Sequence, residues 1–211
     1  MRLSIEVGAD ATLAFGTSAP GKVYRARDGL QSRWTLDATV ADGALLALVP
    51  EPLTCFAGAD YRQAHEISLT RGASLLFVDV LSAGRTARGE RWAFERCATR
   101  LRVRLDERLV LHDALNLEAG ALPVASRLER FDALATMLLC GPRLAAHAGP
   151  MLEAIAHRPT RGEPLVASAS PFRDGVLIRA AADEVARLVA FTRTLLEPLL
   201  RELDDGWHAP W

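Results

Sequence analysis

The sequence predicts a mainly β protein, a β-helix-like or sandwich-like stack of strands with two principal α-helices in the C-terminal half. Three observations carry that expectation. Short apolar segments in the first half alternate with polar neighbours at period two, which turns one face of each segment into a core. Turns bearing glycine or aspartate break these segments and recur at similar distances along the chain. Beyond about residue 123, apolar residues begin to recur at spacings of three and four, the period of a helix.

Taken in order, Leu3, Ile5 and Val7 open the series, and strand-like runs follow at Thr12 to Phe15, Arg33 to Val40, Leu45 to Val49 and Ala64 to Leu69. Further runs lie at Ser74 to Val80, Arg100 to Leu105 and Arg108 to His112. Within them is a weak internal echo of strand, tight turn and second short strand, at Ile5 to Phe15, Leu36 to Val49, Ile67 to Val80 and Leu101 to Leu111. Its turn positions Asp10, Gly43, Gly72 and Glu107 are 33, 29 and 35 residues apart. A wound stack of similar units gives such an echo, each unit covering its neighbour's apolar face. The irregular period fits a plain sandwich as well.

In the second half, Ser126-Arg127-Leu128-Glu129 has the S-x-x-E form that caps a helix start. Leu128, Phe131, Leu134, Ala135 and Leu138 then predict an amphipathic helix closed by Gly141 and Pro142. A short helical piece is expected from Pro150 through His157, and a hairpin-like pair from Leu165 to Ala169 and Gly175 to Ala180. A long helix follows from Asp183 to about Leu203, with Pro198 as a bend. The expected organisation is one domain over 1–211, strand-rich through 122 and carrying helices plus a short β pair over 123–211.

The 211 residues are 50% apolar and carry 25 basic against 26 acidic side chains, a formal charge of -1. That balance argues against a protein whose binding rests on coating nucleic acid or an anionic membrane. Lys22 is the sole lysine beside 24 arginines, a bias that composition alone explains, with the remaining weight on protein contacts. Cys55, Cys97 and Cys140 lie about forty residues apart with no C-x-x-C spacing, so a zinc finger or a disulfide-stapled secreted domain has little support. The opening Met1-Arg2-Leu3-Ser4-Ile5-Glu6 carries charge inside its first apolar stretch, unlike a secretion signal, and a cytoplasmic setting is expected.

No G-x-S-x-G elbow, Walker A loop, G-x-G-x-x-G or H-E-x-x-H is present, which argues against an enzyme. A small-molecule hydrolase with distant catalytic residues and a structural adaptor unrelated to metal remain as alternatives. His65-Glu66 lies on a strand, so the two side chains point to opposite faces and cannot chelate together. His112, His147, His157, Asp60, Asp79, Glu90 and the cysteines offer metal ligands without diagnostic spacing, which leaves no permanent metal site to expect. Two stretches mix charge with aromatic residues in the manner of interface centres, Cys55 to Gln63 and Gly84 to Trp92.

Those stretches carry a resemblance. Gly21-Lys22-Val23-Tyr24-Arg25, then Pro50-Glu51-Pro52-Leu53-Thr54-Cys55-Phe56-Ala57-Gly58-Ala59-Asp60-Tyr61-Arg62-Gln63, resembles the urease accessory protein family UreD, also called UreH. Gly72-Ala73-Ser74-Leu75-Leu76, Gly84-Arg85-Thr86-Ala87-Arg88-Gly89-Glu90 and Trp92-Ala93-Phe94 fit it in the same order, and Gly175 to Ala180 before a long helix is similar to its ending. The resemblance implies a β-rich, helix-like stack and a non-catalytic role in urease maturation, with UreF, UreG and the urease apoprotein as partners. It implies no tightly bound cofactor, only a transient nickel ion crossing an internal polar passage. Asp60, Asp79 and Glu90 are the candidates for that passage, chosen for charge and position. Tyr61, Arg62, Arg85 and Arg88 are the candidate interface or framework residues. Family members typically begin some tens of residues earlier, with strands and a glycine-rich turn.

Overall fold

The computed structural model describes residues 1–27 and 29–202. A first coil contains β1 (Arg2–Val7), β2 (Thr12–Phe15) and β3 (Gly21–Val23), and a second contains β4 (Ser32–Val40), β5 (Leu45–Leu48) and β6 (Leu53–Cys55). A third runs through β7 (Asp60–Leu69) and β8 (Ser74–Ser82), and β9 (Arg96–Leu105) opens a fourth. Successive coils lie in parallel register, β1 on β4 on β7 on β9 in one sheet and β2 on β5 on β8 in the other. The short strands β3 and β6 also pair in parallel. The architecture is therefore the wound stack, since parallel neighbours about thirty residues apart cannot arise from hairpins.

Three of the four echoes are the strand–turn–strand corners of successive coils. The fourth departs from the series: β10 (Arg108–Glu118) turns back antiparallel onto β9, because Asp106 and Glu107 both take positive φ, 46° and 66°. Two such residues in succession form the turn that reverses a strand onto its neighbour. In the coil corners the turns stack on one another instead. The Gly72 N–H donates to Asp42 Oδ1 at 3.0 Å, and Asp10 Oδ1 occupies the place of the side chain that Gly43 lacks.

Residues 124–140 differ from the sequence expectation. The helix predicted from Ser126 reduces to α1 (Val124–Leu128), with Pro123 at its N-cap position, no side-chain cap bond, and an end at Glu129, where φ is +47°. Ala133–Cys140 is strand β11, antiparallel to β8. Ala133, Ala135, Met137 and Leu139 pack toward the helices, while Leu138 and Cys140 pack between the sheets. A strand buried on both faces shows no polar alternation, so chance spacings of three and four imitate a helix.

The expected short helix is α2 (Ala145–Ala156), which begins earlier and holds Pro150 inside it. The hairpin pair is β12 (Leu165–Phe172) and β13 (Gly175–Ala182), which extend the second sheet past β11. The long helix is α3 (Val185–Glu202), with Pro198 within it; Leu203 lies outside the described residues. Among the described residues the sheets have five and eight strands, and β3 and β6 lie off the main path of the larger one. Leu36, Ala38, Val40, Ile67, Leu46 and Leu75 fill the space between the sheets. The other face of the larger sheet is covered by Leu144, Met151 and Ile155 of the α2 region and by Leu188, Leu196 and Leu199 of α3. No helix among the described residues is long and apolar enough to cross a membrane.

The charged segment after β8 locks the stack to this second half. The Arg91 guanidinium bonds Asp132 and the Glu129 carbonyl, and also donates to the carbonyls of Phe131 at 3.0 Å and Ala125 at 3.3 Å. Buried Trp92 donates its indole N–H to the same Phe131 carbonyl at 2.9 Å. Arg91→Ala strands several acceptors at once, and a loss of about 2–3 kcal/mol in urea unfolding is the expected result. A loss under about 0.5 kcal/mol would show that solvent replaces the guanidinium.

Candidate functional site

The inward face of β7 begins apolar and turns polar. Leu69 and Ile67 lie in the inter-sheet core, and the same side of the strand then carries His65, Gln63 and Tyr61, all buried. Across from them, the stretch of β8 from Leu75 to Leu81 is apolar except at Asp79, which is half-buried. Tyr61 donates its hydroxyl to Gln63 Oε1 at 2.9 Å, and Gln63 donates its amide N–H to Asp79 Oδ2 at 3.1 Å. The three therefore form one directed chain ending on a carboxylate.

These groups open onto a cavity of about 630 Å³ between the sheets at one end of the stack. Trp34, His65 and Asp79 line its interior, and Lys22, Tyr24 and Glu51 also contribute to its wall. His65 is fixed edge-to-face between Trp34 and Phe77, with ring centroids 4.9 Å away on each side. Burial lowers its pKa to about 3, so the imidazole is neutral at physiological pH and keeps a nitrogen lone pair. Burial raises the Asp79 carboxyl to about 6, against the opposing pull of the Gln63 hydrogen bond. Burial first, and then the Asp79 charge, also raises the Tyr61 phenol, which stays protonated as the donor at the head of the chain.

The remaining predicted residues lie elsewhere. Asp60 points from the opposite face of β7, accepting from Gln31 at 3.0 Å and standing 3.4 Å from Arg96. Glu90 is pinned by Arg85 and accepts the Ala57 N–H at 3.2 Å, and the Arg85 hydrogen bond is the leading cause of its lowered pKa. The structure thus brings Asp79 to the cavity and holds Asp60 and Glu90 in ion pairs away from it. Among the described residues no group of three or more His, Cys, Asp or Glu side chains could hold a metal ion. Tyr61 is framework. Arg62 is exposed on the outer sheet face, and Arg88 is exposed in a single 3-10 turn, Thr86–Arg88. Arg85 lies 4.4 Å over the Phe56 ring, which meets Tyr24 edge-on at 5.2 Å. This cluster, with Tyr24 exposed and Phe56 and Arg85 half-buried, has the composition of an interface centre.

Gln63 is absent from the candidates that the sequence offers, and His65 enters them only as half of a pair that cannot chelate. The signal was available: extending the period-two pattern of Ile67 and Leu69 backward puts His65, Gln63 and Tyr61 on the buried side.

Fold and cavity together define a class: a stacked-strand β protein backed by helices, with a hydrogen-bonded polar group set into one end of its inter-sheet space. The chain belongs to the UreD urease accessory protein family, whose model matches residues 1–209. It is 45% identical to a urease accessory protein UreD of Anaeromyxobacter sp. (strain Fw109-5), covering 92% of this chain and 66% of that protein. It is 46% identical to the UreD of Sorangium cellulosum (strain So ce56), covering 100% of this chain and 67% of the other. A urease accessory protein D of Oryza sativa subsp. indica is 29% identical over 93% of this chain. The chain thus spans about two thirds of the length of the bacterial relatives, 66% and 67%.

Proposed function

We propose that this chain is a non-catalytic scaffold of urease maturation that joins UreF, UreG and the urease apoprotein in the cytoplasm, and that nickel crosses its inter-sheet cavity as cargo. The observation that carries the reading is the Tyr61–Gln63–Asp79 chain beside neutral His65 within an otherwise apolar stack. A buried carboxylate costs stability unless a cation or hydrogen bond compensates it, and here one amide serves the resting state. Carboxylate oxygen and imidazole nitrogen suit a borderline divalent cation such as nickel. Two such groups without a closed ligand set suit an ion that must leave again. The hydrolase alternative gains nothing from the site, because the ring neighbours of His65 are Trp34 and Phe77.

The test is coexpression of urease and its accessory factors with and without this chain, reading nickel per urease and urease activity. Activation is expected to require the chain. Equal nickel loading in its absence, or no association with any urease component, would overturn the proposal.

A further inference from the structure

Strand β9 has a pattern that the cavity does not use. Cys97, Leu101 and Val103 point into the stack, while Arg100, Arg102 and Arg104 occupy alternate positions on the outer face. Side chains two apart on a strand stand roughly 7 Å from each other. Three successive guanidinium groups therefore form a row whose mutual repulsion needs compensating. The neighbouring strand supplies one acid to that row: Glu66 is 2.9 Å from Arg100 and 3.6 Å from Arg102. Among the described residues Arg104 and Arg62 have no ion pair. The Nε–H groups of Arg100 and Arg102 are buried without an acceptor.

The same face is hollowed. Register sets Arg62 opposite Ala98 and Ala64 opposite Arg100, and Ala114 faces Arg100 from β10. These small residues help line a groove of about 360 Å³ walled by Arg33, Arg62 and Arg100. The Arg33 guanidinium bonds only the neutral Gln31 amide oxygen among the described residues, at 3.2 Å.

We propose that this outer face of the five-stranded sheet docks an acidic polypeptide segment of a partner protein, lying extended along β9 beside β7. An extended segment repeats its side chains at the spacing of the arginine row, and guanidinium groups pair with carboxylates through two parallel hydrogen bonds. Asp37, Asp60 and Glu66 are interspersed on the same face and oppose the uniform charge of a nucleic-acid backbone. A peptide can place its carboxylates between them. The inference is independent of nickel passage.

The experiment is fluorescence anisotropy of a labelled oligoglutamate peptide titrated with the purified full chain, beside an oligoglutamine peptide and a duplex DNA of matched charge. Saturable binding of the glutamate peptide is expected, with about a tenfold or greater loss in Arg62→Gln/Arg104→Gln. Arg130→Gln, a change off this sheet face, is expected to bind as the parent does. Both substitutions of the double variant are on the outer face, so its melting temperature is the check that the fold persists. A double variant that does not fold hands the same reading to Arg62→Lys/Arg104→Lys, which retains charge and loses the fork. Failure of the glutamate peptide to bind, equal loss in Arg130→Gln, or tighter binding of duplex DNA overturns the proposal.

Discussion

Replacing Asp79 with asparagine is expected to stabilise the protein at neutral pH while lowering nickel delivery to urease. Burial raises the folded carboxyl to about 6, above its ordinary value of 3.8. Well below pH 3.8 the residue is protonated in both states and imposes no penalty. As pH rises from about 4 to 6 the unfolded chain releases its proton first, so folding stability falls across that window and stays lower above it. The difference corresponds to about 3 kcal/mol. Asparagine keeps an oxygen for the Gln63 N–H and carries no charge to desolvate. Thermal unfolding of Asp79→Asn at pH 7 should therefore show a midpoint raised by roughly 5–10 °C, and its pH profile should lose the fall between pH 4 and 6. Coexpressed with the urease components, the variant should still form complexes yet load less nickel. A less stable variant with an unchanged pH profile would show that the carboxylate is satisfied by solvent, and unimpaired loading would remove Asp79 from the passage.

Gly141→Ala is expected to remove a large part of the folding stability. Gly141 joins β11 to the helical layer at φ +102°, in the region that side chains with a Cβ avoid. A Cβ there would stand 2.3 Å from the Ala73 carbonyl oxygen and 2.5 Å from Ser74 Cα, both backbone atoms that cannot swing aside. The joint is tightly bonded: the Gly141 N–H donates to Asp174 Oδ1 at 3.2 Å, and the Arg143 N–H donates to Ser74 Oγ at 3.0 Å. Strain and clash together cost on the order of 4 kcal/mol, much of the stability of a domain this size. Gly149→Ala is the control. Within α2, no atom lies within 4 Å of the added methyl, and a gain of about 0.5–1 kcal/mol is expected from helix propensity. Equal denaturant midpoints for the two variants would contradict this account.

The coil corners were legible because each places a half-buried strand beside a tight turn, and Leu3-Ile5-Val7 or Leu36-Ala38-Val40 shows its alternation in the sequence itself. The choice of wound stack over sandwich was not legible from pattern alone. Parallel register joins residues about thirty apart, and nothing in one strand names its neighbour. Strands β3 and β6 span three residues each, too short for a period to register. At β11 the pattern misled because two cores claim both faces of the strand. Asp79 was visible as a single acid in the apolar run Leu75 to Leu81, while Asp60 and Glu90 were equally charged but taken up by arginines whose positions depend on the folded chain.

The order in which the two covers of the larger sheet are made has a consequence for synthesis. Leu45, Ala47, Leu76 and Val78 emerge from the ribosome early, yet Leu188, Leu196 and Leu199 that shield the same layer are made more than a hundred residues later. Parallel pairings at long sequence separation form slowly, and an uncovered apolar sheet in the meantime is prone to self-association. Slowing translation between β8 and α3 is therefore expected to lower the soluble yield of this protein, measured against an unslowed control, and a gain in native-state stability should not restore it.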